Sequence, residues 1–380
     1  MTFIYLLIEF LDELVFGVGE TAWPLLRDDL ALTYTQVGLL LSLPGLVAAF
    51  VEPFLGILGD IWKRRALILG GGILFTLSLA LTALSHNFLF LLVSFVLFNP
   101  ASGAFVSLSQ ATLMDSAPDR HEQNMARWTF AGSLGVVTGP LLLGLFVHFG
   151  LGWRGVYAFL AALAGLCLLA AFRFVSQAGR TSDAPLRFQD LLAGFRAALA
   201  ALRRPDVWRW LLLLEFADLM LDVLLSYLAL YFVDVALVSE TQAGLAVASW
   251  LALGMVTDFL FIPIIDRQAN SLDYLRSTAL LELLFFTAFL LAPGFVPKLI
   301  LIVFVNLCNT GWYPILQGRL YSALPGQSAS LMAIGSVTAP LARLLPLLIG
   351  LLADRFGLGV AAWLLLLGPL ALIIGLPRHD

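Results

Sequence analysis

Long apolar runs and short polar breaks alternate along the whole chain. The runs fall at roughly 2–26, 36–59, 65–85, 88–115, 126–148, 151–174, 208–232, 243–265, 273–293, 297–322, 329–352 and 356–377. About 20 helical residues cross the hydrocarbon core of a bilayer. Each run therefore predicts one membrane-spanning helix, six on either side of a polar stretch. The expected organisation is an all-α polytopic membrane protein. It has an N-terminal six-helix bundle over 1–174, a cytoplasmic linker over 175–207 and a C-terminal six-helix bundle over 208–380.

Composition agrees with that pattern. Charged residues make up 12% of the chain and hydrophobic ones 61%, where a soluble domain carries about 25% charge. Cys167 and Cys308 lie far apart in apolar runs, and His86, His121, His148 and His379 fall at helix ends, in loops or at the terminus. Neither a disulfide framework nor a metal site is indicated, and no cofactor is expected. No basic patch with interleaved aromatics points to nucleic acid. The lipid bilayer is the expected partner, and a monomer is the expected state.

Charge also sets the orientation. With a cytoplasmic N-terminus, the inside loops hold sixteen Lys and Arg residues and the outside loops four, Arg27, Arg154, Lys298 and Arg355. That bias places both termini in the cytoplasm, which for a bacterial chain means the inner membrane. Within the linker, Phe188, Leu191, Leu192, Phe195, Leu199 and Leu202 recur at helical spacing among Arg187, Arg196, Arg203 and Arg204. This predicts an amphipathic helix, lying on the inner leaflet or capping the bundle.

The two halves repeat. At an offset of 206, Glu9 meets Glu215, Asp12 meets Asp218, Gln36 meets Gln242, Glu52 meets Asp258, Asp60 meets Asp266 and Pro140 meets Pro346. The segment "FGLG" at 149–152 recurs at 356–359. Apolar identities arise by chance, but acids and glutamines repeating in register do not. The chain is read as two pseudo-symmetric six-helix bundles, an architecture in which the halves rock about a site between them.

Acids inside the first and seventh helices carry the candidate chemistry. At about 100° per residue, Glu9, Glu13 and Glu20 fall within about 40° of one another with Asp12 beside them. Glu215 and Asp222 align likewise, flanked by Asp218. A charge at the bilayer centre costs at least about 2.5–3.5 kcal/mol, so these groups must line water, be paired or carry protons. Asp12, Glu13, Asp218 and Asp222, near the helix midpoints, are the proton-coupling candidates. Arg343 is the one cation placed deep in a span, too few to pair them all. Glu9, Phe16, Glu215, Asn99, Gln110, Asn306, Asn309 and Arg343 are the expected substrate cavity. Glu282 is read as structural or interfacial.

Two motifs point to a family. "GILGDIWKRR" at 56–65 resembles the signature loop of the major facilitator superfamily through Gly56, Asp60, Arg64 and Arg65, with Lys63 at the usual second glycine. Its repeat keeps Asp266 and Arg267. "GVVTGPLLLG" resembles the fifth-helix motif of that superfamily's exporters through Gly135, Gly139, Pro140 and Gly144. The resemblance implies the major facilitator fold and, in the signature loops, a latch between conformational states. "WPLLRDDLALTYTQVGLL" is similar to the drug/proton antiporters of the fosmidomycin-resistance type, although the fourth helix lacks the Arg many of them carry.

The reading is a secondary active transporter that exports a small amphipathic or cationic molecule in exchange for protons. The alternatives within transport are a uniporter, or a carrier of a metabolite, a lipid or a divalent cation. An enzyme is not expected, because no His falls inside the membrane and no H-E-x-x-H-type motif occurs. A membrane receptor or sensor would need a signalling domain, and no soluble segment is long enough. Reporters fused after Asp380 or inserted near Thr181 should both report cytoplasm; an external signal at either would overturn the orientation.

Overall fold

The structure, a computed structural model, describes residues 2–61, 64–116, 121–175, 204–265, 271–323 and 343–377. Helices dominate it, as a bilayer requires of any segment whose backbone must satisfy its own hydrogen bonds. The chain parts into two compact units, 1–187 and 188–380. The predicted amphipathic helix lies outside the described residues.

The first unit contains α1 (Thr2–Asp29), α2 (Tyr34–Ile61) and α3 (Arg64–Ala83). Helix α4 runs as Phe88–Ser102, a π turn at Gly103–Ser107, then Leu108–Ser116. Helices α5 (His121–His148) and α6 (Gly152–Phe174) complete it. In this unit α1 packs on α5 and α6, α3 on α4 and α6, and α2 on α4.

In the second unit α7 runs as Pro205–Asp218, a π turn at Leu219–Val223, Leu224–Leu230 and a second π turn at Tyr231–Val235. Helices α8 (Glu240–Ile265) and α9 (Ser271–Leu291) follow. Helix α10 has two parts, Phe295–Asn309 and Trp312–Ala323. Of α11 the described part is Leu345–Phe356, and α12 runs from Leu358–Ala361 through a 3₁₀ turn at Ala362–Leu366 to Leu367–Gly375.

Among the described residues, eight helices are long and apolar enough to cross a membrane, and the acid-bearing α1 is not one of them. Phe3, Leu89, Leu166, Leu169 and Ile374 are more than half exposed, an outward apolar surface that suits lipid and not water.

Local chemistry accounts for much of the repeat. Thr33 and Gln36 form a reciprocal cap at the start of α2: Gln36 N donates to Thr33 Oγ1 at 3.2 Å and Thr33 N to Gln36 Oε1 at 3.0 Å. Ser239 and Gln242 build the same cap at the start of α8, at 3.3 and 3.1 Å. This capping box explains why the glutamines recur. Just before each box, Ala31 and Leu237 adopt the left-handed region, at φ 49° and 55°. Gly150 and Gly357, the glycines of the repeated "FGLG", do so at φ 72° and 84°, where glycine avoids the strain a Cβ would bring.

One expectation is corrected. The run at 297–322 was expected to be a single helix, but α10 breaks at Thr310–Gly311, where Thr310 is extended (ψ 126°) and Gly311 has φ 84°. Tyr274 Oη donates to the Thr310 carbonyl at 2.8 Å, so the break leaves that group satisfied.

The tightest packing in the first unit is the crossing of α1 and α5. A Cβ built on Gly17 would lie 2.2 Å from Val136 O, one on Gly135 2.3 Å from Phe10 O, and one on Gly139 2.5 Å from Gly17 C. These contacts are to backbone, so the crossing exists only because all three are glycine. Gly139→Ala should therefore force the helices apart and cost about 1–3 kcal/mol, read as a lower midpoint of thermal unfolding in detergent. Gly144 has nothing within 4 Å of its Cβ position, so Gly144→Ala should be neutral or stabilise by up to about 1 kcal/mol. Equal midpoints for the two variants would mean the crossing is not tight.

Candidate functional site

In the first unit the acids of α1 sit on the glycine crossing. Glu9 is nearly buried, 8% exposed, and its Oε1 lies 2.8 Å from where a Cβ on Gly132 would stand. Trp128 of α5, also buried, stands beside Glu9 with its indole N–H as the donor it can offer. Glu13 lies against the same ridge, its Cγ 3.2 Å from that Gly132 position and its Cβ 3.1 Å from the one on Gly135. Asp12 faces α4 instead, where Ser102 Oγ donates to its Oδ1 at 2.8 Å. Ser102 is the last residue before the π turn, a distortion that recurs at functional sites in helices.

In the second unit the acids of α7 bracket a π turn. Asp218 precedes it and Asp222 lies within it. Their carboxyl groups lie close enough to act on each other, with Glu215 and Arg343 close enough to act on them electrostatically. Two carboxyl groups this near each other disfavour the state in which both are ionised. Arg343 lies in a turn directly ahead of the described part of α11 and is exposed in the unit.

Other predicted cavity residues differ in their surroundings. Phe16 is 45% exposed. Asn99 and Gln110 are half-buried, with Gln110 Nε2 3.8 Å from Met125 Sδ. Asn306 and Asn309 are almost fully buried, 6% and 4% exposed. Each donates its amide to a backbone carbonyl, Asn306 to Trp250 O at 3.4 Å and Asn309 to Met220 O at 3.0 Å.

Of the predicted latch, Gly56 and Asp60 fall within α2 but the Asp60 side chain is outside the description, and Asp266 and Arg267 lie outside the described residues. Arg64 is buried and donates Nη1 to Asp115 Oδ2 at 2.6 Å. Arg65 donates Nη2 to the Phe172 carbonyl. The basic cluster is thus tied to the end of α4 and the end of α6. In the exporter-type motif, Gly135, Gly139 and Pro140 lie buried at the α1 crossing, whereas Gly144 stands clear of it.

Several residues escaped the sequence reading. Asp115, Trp128 and Ser102 carry no motif. Gly132 was legible in principle, one turn before Gly135. Lys298, assigned to an outside loop, lies in the first turn of α10, is 4% exposed and donates to Phe289 O at 2.6 Å and Tyr231 Oη at 3.1 Å. Glu282 is fully buried in α9, with neither carboxyl oxygen hydrogen-bonded among the described residues, which makes it internal rather than interfacial.

Comparison with known proteins identifies the family. The profile described as Major Facilitator Superfamily matches residues 5–345, and the chain belongs to that superfamily. It is similar to the quinolone resistance protein NorA of Staphylococcus aureus, 21% identical over 344 residues, covering 87% of this chain and 86% of that one. A chloramphenicol resistance protein of Pseudomonas aeruginosa is 31% identical over 178 residues, covering 45% of this chain and 41% of the relative. Among solved structures, the nucleoside transporter NupG superposes with a TM-score of 0.78 at 14% identity, covering 98% of this chain and 97% of that one. A D-xylose-proton symporter gives 0.77 at 14%, covering 99% and 97%. The chain is a multi-pass secondary transporter and not an enzyme.

The Arg64–Asp115 pair offers a direct test of the latch expectation. Asp115→Asn leaves a buried guanidinium without its carboxylate, which should bias the states and slow transport by about tenfold while substrate affinity stays within about threefold. The exchange Arg64→Asp with Asp115→Arg should recover part of the rate. A loss of affinity in a folded Asp115→Asn protein would count against a latch.

Proposed function

We propose that this major facilitator transporter exports a small amphipathic or cationic molecule in exchange for protons, across the cytoplasmic membrane of its cell and with both termini inside. The observation that carries the reading is the Asp218–Asp222 pair, two carboxyl groups beside each other at the π turn of a membrane-spanning helix. Such a pair can take up or release a proton without leaving two adjacent bare charges.

The first unit supports the same chemistry by other means. Glu9, Asp12 and Glu13 act on one another electrostatically, and the groups beside them include the neutral Trp128 and Ser102. A site with more acids than bases favours cationic or neutral cargo over anions. The relatives named for resistance to quinolones and to chloramphenicol agree with amphipathic cargo and with efflux. In this reading Asp12, Glu13, Asp218 and Asp222 carry protons, while Glu9, Glu215, Phe16 and Arg343 face cargo.

Proteoliposomes test it. Uptake of a fluorescent lipophilic cation, of a quinolone and of chloramphenicol is measured with a pH gradient and then as exchange at equal pH. Asp12→Asn, Glu13→Gln, Asp218→Asn and Asp222→Asn each keep shape and remove a titrating group. At least one should lose gradient-driven accumulation by about tenfold or more yet keep exchange within about threefold. If all four keep driven transport near the wild-type rate, proton antiport gives way to a uniporter or to coupling with another ion.

A further inference from the structure

We propose that Ser102 of α4 and Asn309 of α10 are positioning residues that set how the acids of α1 and α7 hold their protons, rather than contacts for cargo. This deepens the proton-coupling reading and rests on it. Two separate geometries carry it, one in each unit. In the first, Ser102 Oγ donates directly to Asp12 Oδ1 at 2.8 Å. In the second, Asn309 Nδ2 donates at 3.0 Å to Met220 O, a carbonyl of the very turn that separates Asp218 from Asp222.

The internal repeat relates the two. The offset of 206 that pairs Asp12 with Asp218 carries Ser102 to Cys308 and Gly103 to Asn309. The fourth helix of each unit thus presents a polar donor, one residue apart in register, to the acid-bearing first helix. Each contact also lies at a π turn, Gly103–Ser107 on the donor helix in one unit and Leu219–Val223 on the acid helix in the other. A π turn displaces the normal ladder of carbonyl acceptors: Leu224 N reaches back to Leu219 O, and Met220 O takes the amide of Asn309. Without that amide the turn would lose a polar tie that keeps Asp218 and Asp222 on one face.

Asn309 is not arranged as a cargo contact. It is 4% exposed, its amide is committed to backbone, and its Oδ1 is buried with no hydrogen bond among the described residues. Leaving that oxygen bare is unfavourable, and a leucine would fill the space without it. What a leucine could not do is hold Met220 O.

The test compares Asn309→Leu and Ser102→Ala, which remove the donors, with Asn309→Gln and Ser102→Thr, which retain them. In proteoliposomes with the lipophilic cation, the donor-less variants should lose about tenfold in gradient-driven accumulation, and its pH profile should move by about one unit, while exchange at equal pH stays within about threefold. The retaining variants, Ser102→Thr above all, should return toward wild type. Infrared titration of the protonated-carboxyl band, assigned by its loss in Asp218→Asn, should show a changed frequency or midpoint in Asn309→Leu. If exchange and driven transport fall together with an unmoved pH profile and an unchanged band, Asn309 lines the cargo path or merely supports the fold, and the proposal is overturned. If the wild type shows no proton-driven transport but the band still moves in Asn309→Leu, positioning stands and proton coupling falls. Should Asn309→Leu fail to fold, Ser102→Ala against Ser102→Thr decides: matching pH profiles sink the proposal.

Discussion

A carboxylate loses several kcal/mol when it leaves water for hydrocarbon, and this chain puts acids inside two of its helices. The structure around α1 and α7 answers that penalty by three routes. Some acids stand beside neutral donors, Glu9 by Trp128 and Asp12 by Ser102. Two stand beside each other, Asp218 and Asp222, so that they need not both be charged. Three on α7 feel a common cation, Arg343. None of these routes is a simple one-to-one ion pair, which would fix the charge. Each leaves the acid able to change protonation, unlike a buried salt bridge.

The acids constrain packing as much as packing constrains them. Glu9 and Glu13 can lie between α1 and α5 only because the facing residues are Gly132 and Gly135. An alanine at 132 would meet Glu9 Oε1 at 2.8 Å, so the glycine serves the carboxyl and not only the backbone. In the exporter-type motif, Gly135 and Gly139 bring the helices together, and Gly132, outside it, makes room for the acid. Close approach and acid placement are one feature of α5.

The membrane class, the helix runs and the duplication were legible because they rest on patterns that a sequence displays directly: apolar length, charge asymmetry and polar residues in register. The acids of α1 and α7 were legible for the same reason, since seven carboxyls in two apolar runs stand out. Their partners were not. Ser102, Trp128 and Asp115 reach the acids or the basic cluster across other helices, and nothing local marks a serine or tryptophan as a donor. The π turns of α4 and α7 were hidden too, because a helix can widen by one residue without a change in apolar periodicity. The break in α10 had a cue in Gly311, but glycines are common in membrane helices. The burial of Lys298 was not legible because a helix-end lysine ordinarily reaches for water. Here Phe289, Tyr231 and the end of α9 enclose it.

Comparing the halves separates what duplication preserved from what diverged. The capping boxes, the left-handed Ala31 and Leu237, and the Gly150 and Gly357 stops all recur, and each is a local device that any copy of the unit needs. The glycine crossing does not recur. Positions 17 and 139 are glycine, but their counterparts 223 and 345 are Val and Leu, so α7 cannot approach α11 as α1 approaches α5. Instead Tyr227 Oη donates to Pro346 O at 2.7 Å. The tight backbone contact of α7 is with α12, where a Cβ on Gly368 would lie 2.8 Å from Phe216 O. Helix α1, held on α5 along its glycines, is a continuous α-helix. Helix α7, pinned by side chains on one side and a glycine on another, accommodates two π turns. The acids of the first half are therefore placed by a rigid crossing, and those of the second by a widened turn that a side-chain amide braces. Related acids thus rest on two different mechanical supports in the two halves.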